Sequence, residues 1–240
     1  MKTSRGVLTV LIAVNLVALL TTGCCCFRCK KPCPPRTAKC AELIVDGNFE
    51  AGGCGAGSIC GKNPGERFGG NFNMGPWLVG GYQVALIGNA LNGVPYEPNA
   101  IQPNFFNTPD GNNSAAISLW FNVSSLSQEL TTPLQAGHTY KLSFLQSSQP
   151  PFPPNANAEW AALTGNVQVD LVPKVGIQSI PSMLFPIGKN IAFKKQARFI
   201  TIKPSDISSN PTGIYTIKFS SLGNQTVTII DAVSFCDPKK

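Results

Sequence analysis

The fold of this chain is decided near its carboxyl end, by Gln225-Thr226-Val227-Thr228-Ile229-Ile230-Asp231-Ala232-Val233-Ser234-Phe235-Cys236-Asp237. This is a run rich in β-branched residues and interrupted by a single acid, and such residues favour extended strands. Near the other end, Leu43-Ile44-Val45-Asp46-Gly47-Asn48-Phe49-Glu50 is a shorter apolar run that leads into a turn. The two stretches predict strands at both ends of a β-rich domain.

The composition favours a β-rich protein that works outside the cytosol. The 240 residues are 43% hydrophobic but only 13% charged, and they include 23 glycines and 20 prolines. Few charges and many turn-forming residues are typical of all-β extracellular domains. The length allows one large domain or two small ones, and the sequence contains no internal repeat. We therefore predict a single β-sandwich domain over residues 41–237.

Short strands separated by turns follow one another through this predicted domain. Apolar and polar residues alternate in residues 140–144, 167–171 and 215–219, which is typical of strands with one face on a core and one in water. About nine or ten such strands fit one double-sheet jelly roll. Long connections, which often carry function, are expected at residues 52–74, 89–113, 149–165 and 175–194. Further candidate strands are residues 42–45, 82–87, 115–120, 125–130, 199–203 and 226–235.

The amino-terminal residues predict export from the cytosol. Residues 1–5 are short and basic, residues 6–20 are apolar, and Thr21-Thr22-Gly23-Cys24 follows. This layout is typical of a signal peptide over residues 1–23. Three fates stay open: ordinary cleavage, cleavage with lipid attached to Cys24 as in a bacterial lipoprotein, and retention of the apolar stretch as an anchor beside palmitoylated cysteines. All three predict a secreted or cell-surface protein, and the last two predict a membrane anchor.

Residues 24–40 are predicted to form a tether between membrane and domain. The segment is rich in Cys, Pro and Lys and cannot bury a core. The chain has a net charge of +7, and much of the excess lies in the tether, at Arg28, Lys30, Lys31, Arg36 and Lys39. A basic segment beside a membrane favours contact with a lipid surface. The domain itself has no basic stripe interleaved with aromatic residues, which argues against nucleic acid as a partner.

The spacing of the nine cysteines favours disulfides or acyl groups over a metal site. Six lie in the tether, where Cys26-x-x-Cys29-x-x-x-Cys33 superficially resembles a metal knuckle. The run lacks the paired, widely separated ligand sets of a zinc module, and exported chains favour oxidised cysteine. Within the domain we expect a local Cys54–Cys60 disulfide.

An ordered set of short motifs resembles the DUF642 family of galactose-binding-like domains. The motifs include Gly47-Asn48-Phe49-Glu50, Trp77-Leu78-Val79-Gly80-Gly81, Pro109-Asp110-Gly111-Asn112-Asn113-Ser114, Ala136-Gly137-His138-Thr139-Tyr140 and Ile230-Asp231-Ala232-Val233-Ser234-Phe235. The resemblance covers nearly all of residues 41–235. It implies a jelly-roll β-sandwich of the bacterial surface-protein type, in a family where some members bind polysaccharide and no catalysis is established. It also implies that the first and last strands are neighbours, so that Cys40 meets Cys236.

Two acids at the ends of the domain are candidate metal ligands. Related carbohydrate-binding sandwiches hold a structural Ca²⁺ with one acid from the opening Gly-Asn-Phe-Glu segment and one from the closing strand, which here are Glu50 and Asp231. Regular alternation would place Asp231 on the same inward face as Val233 and Phe235, and a buried carboxylate needs a hydrogen-bond or cation partner. A Ca²⁺ ion with oxygen ligands meets that need. The alternative is that Asp231 accepts backbone N–H groups at a β-bulge.

Candidates for catalytic chemistry are few in this sequence. His138 is the single histidine and lies in a Gly-His-Thr turn, where a solvated residue is far more common than a general base. Glycoside hydrolysis requires two apposed carboxylates, and no acid here lies in a recognisable catalytic motif. We therefore predict that the domain is not an enzyme.

Sugar recognition requires aromatic faces for the C–H side of a pyranose and polar groups for its hydroxyls. Trp77 begins a predicted strand and is assigned to the core. Aromatic residues in the long Pro- and Asn-rich loops are better candidates, although they can equally anchor a loop. We predict a non-catalytic module that binds a polysaccharide or glycan; the alternatives are a structural or adhesive surface protein and an unrecognised hydrolase. The predicted ligand-binding residues are Tyr96, Phe105, Phe106, Phe152, Trp160 and Asn104.

Overall fold

Two antiparallel β-sheets pack face to face, which confirms the predicted all-β jelly-roll sandwich. A computed structural model describes residues 40–52, 59–62, 67–68, 76–81, 84–88, 110–111, 113–120, 124–148, 164–189, 191–223 and 226–238, with the backbone alone at 52, 59–62, 67–68, 88 and 119–120. The chain divides into two units, residues 1–39 and 40–240. The predicted signal peptide, Cys24 and all of the predicted tether before Cys40 lie outside the described residues. Within the described ranges, no helix has the length and apolarity that a membrane crossing requires.

Thirteen strands, numbered in chain order, occur in the described part of the chain. The first sheet contains β1 (Ala41–Glu42), β2 (Ile59–Lys62), β5 (Val84–Gly88), β6 (Asn113–Trp120), β8 (Thr139–Ser147), β11 (Lys194–Thr201) and β13 (Thr226–Asp237). Its order is β11-β8-β13-β6-β5-β2, and β1 also pairs with β13. The second sheet contains β3 (Arg67–Phe68), β4 (Trp77–Gly81), β7 (Ser124–Glu129), β9 (Val167–Pro173), β10 (Met183–Phe185) and β12 (Tyr215–Ser221). Its order is β10-β9-β12-β7-β4-β3.

The main core fills the space between the sheets. The three strands predicted from alternation lie within β8, β9 and β12, and their apolar side chains are buried. Aromatic rings join the two sheets, since Phe144 on β8 and Phe219 on β12 have centroids 5.3 Å apart. Trp77 is fully buried, with its ring centroid 5.4 Å from that of Phe49. The assignment of Trp77 to the core is therefore confirmed.

A second, smaller apolar cluster lies on the outer face of the first sheet. Phe193 packs there against buried side chains from β5, β6 and β13, which are Ala85, Ile87, Ala116, Val227 and Ile229. The adjacent Ile230 belongs to the main core, because successive residues of a strand point to opposite faces. β13 is therefore apolar on both faces, which explains why its sequence is a nearly continuous β-branched run.

Hydrogen bonds and a disulfide join the two ends of the domain. β1 pairs with β13, with Glu42 opposite Cys236. The adjacent Cys40 is bonded to Cys236 at a Cα–Cα distance of 5.5 Å, which confirms the predicted disulfide. The predicted Cys54–Cys60 disulfide falls on Cys54 and the side chain of Cys60, both outside the described residues, and it stays a prediction.

Two predicted strand boundaries are wrong, for identifiable reasons. Residues 43–45 do not continue β1, because the chain crosses there from the first sheet to the second. The Leu43 N–H donates to the Phe235 carbonyl at 2.8 Å, while the Leu43 carbonyl accepts the Thr131 N–H at 2.9 Å. β11 begins at Lys194 rather than at residue 199. Its first half is exposed and polar, as edge strands often are, so it lacks apolar alternation.

Three short strands and one helix were not predicted. β2 and β3 lie in residues 52–74, and β10 lies in residues 175–194, where long connections were expected. Strands this short show no clear period. The helix α1 (Pro204–Ser209) begins with a proline, which favours a first helical turn. Asp206 Oδ2 accepts the Lys203 N–H at 2.8 Å and stabilises that turn.

Candidate functional site

The opening segment and the closing strand meet at an acidic corner. The acidic corner is formed by Asp46, Glu50, Asp110, Asn113 and Asp231. Glu50 and Asp231 each accept hydrogen bonds from residues 110–114, the segment that leads into β6. The two acids singled out in the sequence therefore contact the same five-residue segment.

The Gly-Asn-Phe-Glu motif positions Glu50 through contacts made by the residues before it. The Gly47 carbonyl accepts the Val233 N–H at 2.9 Å, and a Cβ at Gly47 would collide with the Val233 carbonyl. Phe49 has a φ of 60° and packs its fully buried ring against Trp77. Glu50 then begins a single 3₁₀ turn, Glu50–Gly52. Glycine is required in this motif because two backbone segments touch there.

The Glu50 carboxylate binds the segment that leads into β6. Its Oε1 accepts the Asn113 N–H at 2.8 Å, and its Oε2 accepts an Asn113 Nδ2 hydrogen at 3.5 Å. Gly111 has a φ of 85°, and a Cβ there would collide with Glu50 Oε1. The glycine of the Asp-Gly-Asn motif therefore makes room for the acid of the opening motif.

Asp231 is fully buried at a β-bulge in the closing strand. The register of β13 against β8 shifts between Asp231 and Ser234, and Ala232 has a φ of 49°. Asp231 Oδ1 accepts the Ala232 N–H at 2.7 Å, and Oδ2 accepts the Asp110 N–H and the Ser114 hydroxyl, each at 3.2 Å. The hydrogen bonds thus show the alternative role considered for Asp231, that of accepting backbone N–H groups at a bulge.

The bulge also reverses the expected direction of the Asp231 side chain. Before the bulge, Ile230 belongs to the main core and Ile229 to the outer cluster; after it, Val233 belongs to the main core. Extra residues in a bulge disturb the regular alternation of a strand. Asp231 therefore lies on the same side as Ile229, where it meets Ser114. The prediction that it shares an inward face with Val233 is wrong.

Burial raises the pKa of the Asp231 carboxyl toward neutral pH. Loss of hydration raises the pKa of Asp231 from 3.8 to about 7, and its neutral N–H and O–H donors offset only part of that rise, while the charge of Asp110 adds to it. Burial likewise raises the pKa of Asp46, with the charge of Glu50 as a smaller cause. Among the described basic side chains, none forms an ion pair with Asp46 or Asp231.

Two buried oxygens of the acidic corner have no hydrogen-bond partner among the described residues, Asp46 Oδ2 and Asn113 Oδ1. With the carboxylates of Glu50 and Asp231, they are hard oxygen donors of the kind that Ca²⁺ prefers. No three His, Cys, Asp or Glu side chains of the described ranges are arranged to hold a metal. Because Ca²⁺ takes six or more oxygens, these four side chains fit the ion in kind without completing its shell. The calcium site stays a prediction.

His138 is tied into the structure instead of lying free in a solvated turn. Its side chain is 29% exposed, and its Nδ1 lies 3.0 Å from Oδ2 of the buried Asp237. Its ring stacks on Tyr140 with centroids 6.2 Å apart. His138 thereby joins the turn before β8 to the end of the closing strand, beside Cys236.

The predicted sugar-binding residues lie outside the described residues. They are Tyr96, Asn104, Phe105, Phe106, Phe152 and Trp160. The sheet residues that flank their two segments are described. Residues 89–109 end at Asp110, which binds Asp231. Residues 149–163 end at Thr164, which bridges to Thr226. These two points are five residues apart along β13, or roughly 15 Å at the usual rise of a strand.

A cavity of about 240 Å³ lies where the edge strands of the two sheets, β10 and β11, face each other. We call it the edge notch and define it by Ser179, Met183, Arg198, Phe199, Thr201 and Lys203. The guanidinium carbon of Arg198 lies 5.2 Å from the centre of the Phe185 ring on β10. Phe199 is 64% exposed. The notch therefore combines an exposed aromatic ring with a guanidinium, an ammonium and hydroxyl groups.

The edge notch was not predicted from the sequence, although a signal for it exists. Residues 171–205 contain six basic residues and no acid, whereas the basic excess was expected mainly in the tether. Lys174 pairs with Glu129 at 3.1 Å. Five basic side chains have no ion pair with another described residue, namely Lys189, Lys194, Lys195, Arg198 and Lys203.

No protein-family model and no curated protein matches the sequence, so membership of the DUF642 family stays a prediction. The fold itself is shared with solved structures. A Stig cyclase from Fischerella sp. TAU, solved with an indole ligand, has a TM-score of 0.53 and 15% identity, over 82% of this chain and 96% of the cyclase chain. At this identity the similarity shows the fold alone.

Two further solved structures are similar at lower TM-scores. TmCBM61, solved in complex with β-1,4-galactotriose, has a TM-score of 0.44 and 18% identity, over 82% of this chain and 98% of that chain. The enzymatically active domain of tailspike protein 4 from bacteriophage CBA120 has a TM-score of 0.44 and 12% identity. That match covers 82% of this chain but spans only 21% of the tailspike chain.

Proposed function

We propose that this domain is a non-catalytic carbohydrate-binding module that works outside the cell, either secreted or anchored to a membrane. The edge notch carries the proposal. Phe199 offers an exposed aromatic face for the C–H side of a sugar ring, while Arg198, Lys203 and the hydroxyls of Ser179 and Thr201 offer partners for sugar oxygens. A few polar groups placed beside an apolar surface are typical of sites that bind small molecules in water.

A polysaccharide, rather than a single sugar, is the proposed ligand. The aromatic residues predicted at residues 96–106 and at 152 and 160 belong to segments that are followed in the sequence by Asp110 and Thr164, and these two residues contact β13 at Asp231 and Thr226. Because these two contact points are roughly 15 Å apart along the strand, a ligand that spans them needs several sugar residues. The same residues could bind a protein surface, which is the adhesive alternative.

A structural Ca²⁺ at the acidic corner forms a second part of the proposal. Glu50 and Asp231 would hold it, and Asp46 or Asn113 would have to move closer to add an oxygen, because no three acids of the described ranges are grouped for a metal. Three observations support this assignment: the raised pKa of Asp231, the absence of a basic partner for it among the described residues, and the unpartnered buried oxygens of Asp46 and Asn113. A divalent cation would keep the buried carboxyls ionised.

A panel of soluble polysaccharides tests the proposed function. We expect the full chain to bind at least one of them, and Phe199→Ala to weaken that binding about tenfold, since loss of aromatic contact costs about 1.4 kcal/mol or more. Leu184→Ala is the matched control, because Leu184 is 54% exposed on the neighbouring edge strand but does not line the notch. Tyr96→Ala and Trp160→Ala test the two other segments.

The outcomes separate the alternatives. If the full chain binds none of the polysaccharides, the proposal is overturned and the adhesive alternative is favoured. Reducing ends that accumulate during incubation of polysaccharide with wild-type protein would show hydrolysis and overturn the non-catalytic part. If Phe199→Ala and Leu184→Ala lose the same amount of polysaccharide affinity, the edge notch is not the binding site.

A further inference from the structure

The edge notch is strongly basic as well as aromatic. Arg198 and Lys203 line it, and Lys194 and Lys195 lie at the start of β11, the strand that carries Arg198. None of these four side chains forms an ion pair with another residue in the described part of the chain. Asp206 is the single acid of the lining; it is only 6% exposed, and its Oδ2 accepts the Lys203 N–H. The charge presented at the notch is therefore positive.

Arg198 is oriented for hydrogen bonding by the aromatic ring beneath it. It stands opposite Leu142 in the register of β11 and β8, with its guanidinium over the Phe185 ring at 5.2 Å. Phe185 is itself held edge-to-face by Phe144, at a centroid distance of 4.9 Å. A guanidinium placed over a ring keeps its in-plane N–H groups available for a planar anion. The Arg198 side chain makes no hydrogen bond to any other described residue.

Phe199 and Arg198 present different chemistry at neighbouring points. Successive residues of a strand point to opposite faces, so Arg198, opposite the buried Leu142, extends across the gap between the sheet edges, whereas the Phe199 side chain points to the outer side of β11. Both residues line the notch, so a sugar residue at its rim can contact both. The cavity volume of about 240 Å³ is below the roughly 300–1,000 Å³ of pockets for drug-sized ligands. It suits one sugar ring with one charged substituent.

We propose that the edge notch binds an anionic sugar residue of a polysaccharide, one that carries a carboxylate or a sulfate group. Arg198 donates two parallel N–H bonds to the acidic group, Lys203 adds positive charge, and Phe199 packs against the sugar ring. The inference rests on the proposed carbohydrate-binding function and gives that function a ligand class.

Binding of the full chain to four probes tests this ligand class. The probes are polygalacturonate, which carries carboxylates; a sulfated galactan; a neutral galactan of similar length; and single-stranded DNA. We expect at least one acidic polysaccharide to bind about tenfold or more tightly than the neutral galactan, with an affinity that falls as salt is added. The tighter of the two acidic polysaccharides identifies the acidic group.

Substitutions at Arg198 test the residue assignment. We expect Arg198→Ala to weaken binding of the acidic polysaccharide roughly ten- to hundredfold, since a hydrogen bond to a charged group contributes about 1.5–3 kcal/mol. Arg198→Lys keeps the positive charge but not the planar guanidinium that can donate two parallel N–H bonds. Its affinity should therefore lie between those of the wild type and Arg198→Ala. Lys174→Ala is the matched control: it removes one positive charge whose ammonium lies 3.1 Å from Glu129 on β7, three strands from β10. Thermal melting of each variant establishes that it is folded.

Several results would overturn the inference while leaving carbohydrate binding intact. One is an equal affinity for neutral and acidic polysaccharides. Another is an equal loss of affinity for the acidic polysaccharide in Arg198→Ala and in Lys174→Ala. Binding of single-stranded DNA as tight as that of the acidic polysaccharide would replace the sugar site with a general polyanion surface. Failure to bind any polysaccharide would overturn both the inference and the function on which it rests.

Discussion

The Val233 N–H donates a 2.9 Å hydrogen bond to the Gly47 carbonyl, and the two backbones lie so close that no side chain fits between them at Gly47. The opening turn of the domain therefore rests directly on its closing strand. Gly47 lies three residues before Glu50, and Val233 lies two residues after Asp231. One backbone contact thus sets the relative position of the two acids at the corner.

Gly47→Ala should destabilise the domain. An alanine Cβ would collide with the Val233 carbonyl, and separating the two segments breaks the hydrogen bond and disturbs the packing of Phe49 on Trp77. Forcing extra atoms into a packed interior typically costs about 1–3 kcal/mol. We expect a loss of this size in the free energy of unfolding, measured by urea denaturation.

Gly188→Ala is the control for that measurement. A Cβ at Gly188 would lie no closer than 3.6 Å to its nearest neighbour, a side-chain carbon of Ile191. The substitution restricts the unfolded chain without a clash, so it should be neutral or stabilise by up to about 1 kcal/mol. Similar destabilisation by both substitutions would mean that the contact with Val233 is not the cause.

Removal of the Cys40–Cys236 disulfide should lower stability by about 2–5 kcal/mol without abolishing the fold. The bond closes a loop with a sequence separation of 196 residues, and loops of that length lose much chain entropy in the unfolded state. The β1–β13 pairing remains in a Cys40→Ser, Cys236→Ser double variant, as do the hydrogen bonds of Glu42 to Ser234 and Phe235.

Urea denaturation monitored by circular dichroism measures the effect of the disulfide. The native spectrum should be unchanged in the double variant, while the midpoint of denaturation falls. Wild-type protein treated with reductant serves as the comparison and should be no more stable than the double variant, because reductant also cleaves the predicted Cys54–Cys60 disulfide. An unchanged midpoint in the double variant would show that the bond contributes nothing to stability.

Strands with one face on the core were predictable because burial imposes a period of two on their sequence. β8, β9 and β12 show that period, and the apolar run of β13 reflects its two buried faces. β10 and β11 lie at sheet edges. β10 is three apolar residues long, too short to show a period although two of the three are buried, so it was missed. Most of β11 is exposed and carries no apolar alternation, so its start was placed too late.

The two parts of the candidate site differ in how far the sequence predicts them. Glu50 and Asp231 belong to short ordered motifs, and the structure brings both to residues 110–114. The direction of Asp231 could not be predicted, because the bulge at Ala232 reverses the alternation. The edge notch depends on contact between residues such as Phe185 and Arg198 on different sheets, and no local pattern encodes such a contact.

Asp231 should make the stability of the domain depend on pH when Ca²⁺ is chelated. Its folded pKa of about 7 lies above the ordinary value of 3.8, so between these values the folded state binds more protons than the unfolded state. The contribution is fully present below about pH 4 and is lost as the pH rises through about 7. We expect the free energy of unfolding in EDTA to fall from pH 5 to pH 8, by at most about 3 kcal/mol from this group.

Asp231→Asn isolates that contribution, because it removes the titrating group and keeps an amide oxygen as acceptor. In EDTA the variant should show a weaker pH dependence than the wild type and should be the more stable of the two at pH 8. Glu129→Gln, at a half-exposed acid away from the corner, should keep the wild-type dependence of the unfolding free energy on pH.

Added Ca²⁺ should restore the melting temperature of the wild type at pH 8 but not that of Asp231→Asn, since only a cation bound to the folded state stabilises it. If neither EDTA nor Ca²⁺ changes the melting temperature of the wild type, the metal site is rejected. Asp231 then acts only as an acceptor of backbone N–H groups.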